Sequence, residues 1–254
     1  MKKISILGIA TLGFLWAGMA IAQEEEEATT FSYATYMYCD TDREDEADEN
    51  AAADAPTMDQ LVADGAITGW GWLAHHTGGQ WRRIRYHTAD SLEGVLDGLS
   101  AINEALTAAD GDDSDSDSDS DGSACPSHDD YIWKTENGTV SDGSRGEAAF
   151  SVYFMCDITR EGRADEIVDE HVAPIMNKIV EDGGLTSWGW LSHSIGGKYR
   201  RLQTMSAPDH KTLLAARATA LAEVYAEGSE LGSEFAQICG KHADYMWNIV
   251  HETP

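Results

Sequence analysis

Histidine, arginine, aspartate and cysteine recur in pairs along this chain, and the pairs define what chemistry it can do. "WGWLAHHTGGQWRR" (70–83) sets His75 shortly before Arg82 and Arg83, and "WGWLSHSIGGKYRR" (188–201) sets His193 before Arg200 and Arg201; nine of the fourteen positions are identical. A neutral imidazole can carry a proton near pH 7 or ligate a metal, and a guanidinium anchors an anionic group. Trp72 and Trp190 add flat apolar surface, so His75, Arg83, His193, Arg201, Trp72 and Trp190 are ligand-binding candidates. "CPSHDDYIW" (125–133) and "CGKHADYMW" (239–247) hold His128 with Asp130 and His242 with Asp244, metal-ligating residue types beside a Cys-x-x-His spacing. Each feature also has a structural reading. Histidine beside a tight turn hydrogen-bonds backbone, Asp130 can bridge to arginine, paired arginines cross-link acids, and tryptophans at period two are usually core. No Gly-rich phosphate loop, G-x-S-x-G elbow or HExxH motif is present, and neither Cys-x-x-His has the second cysteine of a covalent haem site. No catalytic residue can be named.

These residues belong to three blocks that repeat in order, "YCDTDREDEADE" with "MCDITREGRADE", the tryptophan block, and the Cys/His block, at offsets of 117, 118 and 114. Within one copy, "FSYATYMYC" and "AFSVYFMC" read as strands, with Phe150, Val152 and Phe154 on one face and Tyr153 and Met155 on the other. A strand apolar on both faces belongs to a sheet covered on both sides. A helix follows, carried by Ile167, Val168, His171, Ile175, Met176, Ile179 and Val180 and stopped at Gly183-Gly184, and more weakly by Met58, Leu61 and Val62 before Gly65. The tryptophan block reads as a hairpin: Gly78-Gly79 supplies the turn, and Trp81, Arg83 and Arg85 return opposite Arg82, Ile84 and Tyr86. Leu92, Val95, Leu96, Leu99, Ile102 and Leu106 then mark an amphipathic helix, matched by an alanine-rich run from Leu213 to Val224. "DYIW" or "DYMW" ends each copy as a short strand.

Residues 1–22 have the basic start, apolar run and Ala20-Ile21-Ala22 site of a secretory signal peptide. Its removal takes Lys2 and Lys3 and no acid, moving the formal charge from -28 to -30. Such a surface repels nucleic acid and anionic lipid, and no other run is apolar enough for a membrane helix. The sequence divides into the leader, an acidic segment (23–30), a first repeat (31–136), a linker (137–148) and a second repeat (149–254). The first repeat contains an Asp-Ser insert near 110–123, which cannot bury apolar surface and lacks the Gly and closing Glu of an EF-hand. The location implied is periplasmic or secreted.

Strand, helix, strand, strand, helix, strand is the ferredoxin-like βαββαβ order. The fold class expected is therefore α+β, with two ferredoxin-like repeats packed sheet to sheet. The arrangement resembles the dimeric α/β-barrel superfamily in tandem-fused form, over nearly the whole mature chain and in topology only. The resemblance implies strand order 4-1-3-2, which sets the end of the first strand near the start of the last. Cys39 would then meet Cys125, and Cys156 would meet Cys239, as disulfides in an oxidising compartment; metal ligation by Cys and His is the alternative. It also implies that the second strand of one unit borders the fourth of the other, bringing His75 toward His242 and His193 toward His128. Because one chain supplies both units, a monomer suffices. Some members of the superfamily bind haem, so a noncovalent haem on a histidine stays open. The leading functional reading is a protein that binds a small, partly apolar ligand in the barrel. The alternatives are a haem-dependent or monooxygenase-type oxidoreductase, and a structural or interaction protein whose barrel is filled by its own side chains.

Overall fold

The computed structural model describes residues 29–110, 123–139 and 143–253. The signal peptide, residues 23–28 of the acidic segment, nearly all of the Asp-Ser insert and the middle of the linker lie outside them. The first half comprises β1 (Phe31–Tyr38), α1 (Glu44–Ala63), β2 (Gly69–Thr77), β3 (Arg83–Ala89), α2 (Leu92–Asp110) and β4 (Ser127–Thr139). The second comprises β5 (Ala148–Met155), α3 (Glu161–Ile167), α4 (Ala173–Glu181), β6 (Ser187–Ile195), β7 (Arg201–Ala207), α5 (His210–Val224), α6 (Glu230–Cys239) and β8 (Lys241–Glu252). A π-helical turn, Val168–Val172, joins α3 to α4. The repeat offset grows from 117 to 118 across this same stretch, and a π turn is how a helix absorbs one extra residue without breaking.

The eight strands close into an antiparallel barrel in the order β1-β3-β2-β8-β5-β7-β6-β4, giving a mixed α+β architecture. Closure explains why the last strand of each half is long rather than the short segment its sequence suggests. β4 pairs with β1 over Ser127–Lys134 and then with β6 over Ile132–Thr139. β8 does the same with β5 and then β2. Each must serve its own sheet and the seam in succession. Asn137, Gly138 and Thr139 are consequently strand, not linker, and β5 begins at Ala148, one residue before the boundary expected.

Alternation along the strands sorts side chains into three cores. Ala34, Tyr36, Leu73, Ile84, Trp133, Tyr153, Leu202 and Trp247 face the barrel interior. Phe150, Val152 and Phe154 face outward against α3, α4 and α5, and Met58, Ile67, Trp70, Trp72 and Ile102 form the equivalent layer of the first half. The second layer also receives Phe235 and Ile238 from α6, a helix the sequence reading did not anticipate. Trp81 departs from the expected alternation: it precedes β3, in the segment leaving the Gly78-Gly79 turn, and swings into the barrel. Gly78 has φ of +134°, and a Cβ there would strike the Asp244 carbonyl, so the turn requires glycine. Both expected disulfides form, Cys39–Cys125 and Cys156–Cys239, with Cα separations of 3.8 and 4.1 Å. Among the described residues no helix is long and apolar enough to cross a membrane.

Candidate functional site

The barrel interior is divided in two. One end is plugged by rings: Trp81 stacks on Tyr36 at 4.3 Å and on Tyr245 at 5.2 Å, while Tyr131–Trp133 and Tyr245–Trp247 form two matching stacks at 5.1 Å. Trp133 Nε1 donates to the Tyr36 hydroxyl at 3.0 Å, and Trp81 Nε1 to Asp129 at 2.9 Å, so these indoles satisfy their polar edge. The other end is a cavity of about 590 Å³. Tyr36, Trp133 and Tyr153 floor it, Leu73, Ile84, Leu202 and Ile249 form its apolar wall, and threonine hydroxyls ring the rim. At the mouth, Arg145 Nε donates to Glu252 Oε2 at 2.7 Å, and the Tyr86 hydroxyl donates to the other Glu252 oxygen. Burial opposes the charge on Arg145, but Tyr86 and Glu252 outweigh it and hold the guanidinium protonated. Burial pushes the Tyr86 phenol above its usual range, so it stays a neutral donor.

The residues singled out by their repetition lie elsewhere. Arg83 and Arg201 project from the outer face of the barrel wall, away from this cavity. Arg83 meets both oxygens of Asp48 at 2.7 Å and Glu44 at 3.0 Å, and Arg201 repeats the pattern with Asp165 at 2.7 Å and Glu161 at 3.1 Å. The same aspartates accept the indole N–H of Trp72 at 2.7 Å and of Trp190 at 2.9 Å. Helix start, hairpin and tryptophan are thus riveted in each half by one Arg–Asp–Trp set, which occupies the polar atoms of all four candidates. The signal was present in the sequence: Glu44 and Asp48 recur with the arginines, as Glu161 and Asp165.

His75 and His193 do face the seams, but each meets rings rather than the other half's histidine. His75 pairs in register with Trp247 and sets its edge against Tyr245 and Trp247; His193 does so against Tyr131 and Trp133. His242 lies five residues before Trp247, roughly 16 Å along the strand. His75 is 3.5 Å from Arg82 Nη1, and His193 accepts from Arg200 at 2.8 Å. Burial, then these arginines, push both imidazoles below their ordinary value. Of the metal candidates, His128 faces Asp130 at 3.2 Å and His242 faces Asp244 at 3.5 Å, while Asp244 also accepts from Arg217 at 2.9 Å. Among the described residues no group of three His, Cys, Asp or Glu is placed to hold a metal, and the cysteines are consumed in disulfides.

Two smaller cavities lie between sheet and helices, about 460 Å³ in the first half and about 310 Å³ in the second, lined in part by His128 and His242 respectively. The residues do not fit a haem in any of the three. The one histidine at the barrel cavity, His251, has Nε2 on Asp59 at 3.1 Å and its ring stacked on Trp70. In the cavity at His128 the imidazole Nε2 is 3.2 Å from Asp130 and the one lining cation, Arg85, is attracted by Asp54 and Asp130, while the cation at His242, Arg217, is held by Asp244 at 2.9 Å. The cavity-lining threonines, Tyr86, Arg145 and Glu252 form no motif, so only the register of strands far apart in the chain could have revealed them.

No family model matches the chain, and no curated protein matches it in sequence. Solved structures do match. An anthrone oxidase-like protein aligns over 90% of this chain and 94% of its own at 11% identity with a TM-score of 0.55. A provisionally assigned monooxygenase from Fusobacterium nucleatum aligns over 89% and 94% at 8% identity, TM-score 0.57. A mutant chlorite dismutase from Candidatus Nitrospira defluvii, in complex with cyanide, aligns over 89% and 92% at 10% identity, TM-score 0.53. At such identities the likeness is one of fold, and the chain resembles the dimeric α/β-barrel proteins at that level.

Proposed function

We propose that this protein is an exported binder of a small, partly apolar molecule, held in the open end of the barrel. The observation that carries the reading is the cavity of about 590 Å³, with an aromatic floor, aliphatic walls and a half-buried Arg145–Glu252–Tyr86 cluster at its mouth. That volume and that mixture of apolar wall with few polar anchors are typical of small-molecule sites. It also counts against a barrel filled by its own side chains. The two halves are read as ferredoxin-like repeats, one supplying the partner sheet for the other, so a single chain completes the site. Two disulfides support an oxidising compartment, periplasmic or extracellular.

The test uses 1-aminoanthracene, a fluorescent, largely apolar probe with one polar group. Saturable binding that quenches tryptophan emission is expected, and Ala149→Trp, which fills the cavity from its wall, should weaken it at least about tenfold. Binding unaffected by that change would place the probe elsewhere and end the reading. The likeness to proteins described as oxidases and monooxygenases favours an oxidoreductase as the second reading, since fold by itself does not settle function. Ligand-dependent uptake of dioxygen would select it over simple binding.

A further inference from the structure

On the outer face of the first half, Thr35 of β1 stands in register with Arg85 of β3 on one side and Asp130 of β4 on the other. The three side chains form one row across three strands and, with Tyr33 and His128, line the cavity of about 460 Å³ beneath α1 and α2. Two strand spacings separate Arg85 from Asp130, roughly 9.5 Å between backbones. Arg85 makes no hydrogen bond or ion pair with any described residue, although burial works against its charge and Asp54 and Asp130 are the acids nearest to it. Asp130 Oδ2 lies 3.2 Å from His128 Nε2 and the carboxylate also acts on the Tyr33 hydroxyl, but Oδ1 is shielded from solvent with no partner within hydrogen-bond distance. A guanidinium cannot shed its proton, so a half-buried one without a hydrogen-bonded partner carries a cost, and an orphaned carboxylate oxygen adds to it.

The second half carries the same row without an arginine on its β7 strand. Its members are Gln203, Val152 and Asp244; Asp244 Oδ2 accepts from Arg217 at 2.9 Å, while its Oδ1 is shielded without a hydrogen-bond partner as in Asp130, so the halves differ in their arginines. The position of Arg217 is Leu99 in the first half. The first copy has therefore lost the arginine that pairs the aspartate and gained an arginine with nothing to pair, on opposite sides of a threonine.

We propose that this row is a binding site for a small carboxylate that also carries a hydrogen-bond donor, as hydroxy and amino acids do. The carboxylate lies on the Arg85 guanidinium, the hydroxyl or ammonium donates to Asp130 Oδ1, and the body of the molecule spans Thr35. This site is on the opposite face of the sheet from the barrel cavity and is independent of the reading given for that cavity.

Calorimetric titration of the native protein with glycolate, glycine, acetate and methylamine tests it. Glycolate or glycine should bind at least about tenfold more tightly than acetate and methylamine, which present only one of the two groups. Arg85→Gln, the residue the second half carries in this row, should abolish that binding and leave the melting temperature unchanged or higher, because it removes an unpaired charge. Asp130→Asn should erase the preference over acetate. Absence of binding by the native protein at millimolar concentration, or binding that survives Arg85→Gln, overturns the proposal. So does a lower melting temperature for Arg85→Gln, which would mark Arg85 as structural. Binding of 1-aminoanthracene in the barrel should be the same in native and Arg85→Gln proteins, which keeps the two sites' outcomes apart.

Discussion

Arg201 is 6% exposed at its side chain, yet it is charged and ordered because Asp165 and Glu161 take up every face of the guanidinium. Breaking such a pair strands the charge that remains. Asp165→Asn should cost about 3 kcal/mol of unfolding free energy, read by urea denaturation, whereas Glu46→Gln, which loses only the exposed pair with Arg43, should change it by under about 1 kcal/mol. The histidines set a pH limit. His75, His193 and His87 are all pushed down by burial, so the unfolded chain takes up protons the native chain refuses. Their contribution is complete above about pH 6.5 and is lost as pH falls through that value toward the lower native one. The melting temperature should drop over this window, and the double variant His75→Gln, His193→Gln should flatten part of the drop. An unchanged profile in that variant would refute the assignment. At this scale the sequence marked Arg83, Trp72 and their counterparts through repetition, but repetition preserves rivets as faithfully as active sites. Arg85 stayed hidden for the converse reason: its copy is Gln203, and only the difference between halves carries meaning.

The elements are held at two covalent points, each joining the end of a first strand to the start of a last strand across 86 or 83 residues. In the chain-entropy account a loop of that size contributes about 4–5 kcal/mol. Replacing Cys39 and Cys125 together by serine should lower the denaturation midpoint accordingly, and a midpoint unchanged from the native protein would show that the sheet alone supplies the constraint. Strand, helix and hairpin order was legible because periodicity and the Gly-Gly turns repeat in both copies. α6 was not legible, because Leu231, Phe235 and Ile238 make too short a pattern. In the first copy the corresponding stretch is Asp-Ser rich, so no repeat pointed to it. The length of β4 and β8 was missed because nothing local announces that a strand continues into a second partner.

For the whole molecule, the barrel is a contract between halves. The first half alone would uncover Tyr36, Leu73 and Trp133 and leave β2 and β4 as open edges. Residues 23–142 expressed separately should run as a dimer or aggregate under light scattering, and a stable monomer would contradict the closed-barrel account of the fold. What was legible at this scale was the need for a partner sheet, read from strands apolar on both faces. The cavity was not, because it depends on which end of the barrel the rings of Trp81, Tyr131 and Tyr245 occupy.

The seam made by β8 also orders events in time. Trp70 is fastened to Thr253 by bonds in both directions at 2.9 Å, between residues 183 positions apart. Contacts of such separation form late and slowly, because the intervening chain must first be brought to order. The first half therefore waits, with one edge unzipped, until the final residues have been synthesised and delivered. Barrel closure is then expected to be a late step of folding, and in refolding kinetics a chain shortened by its final six residues should stall before it.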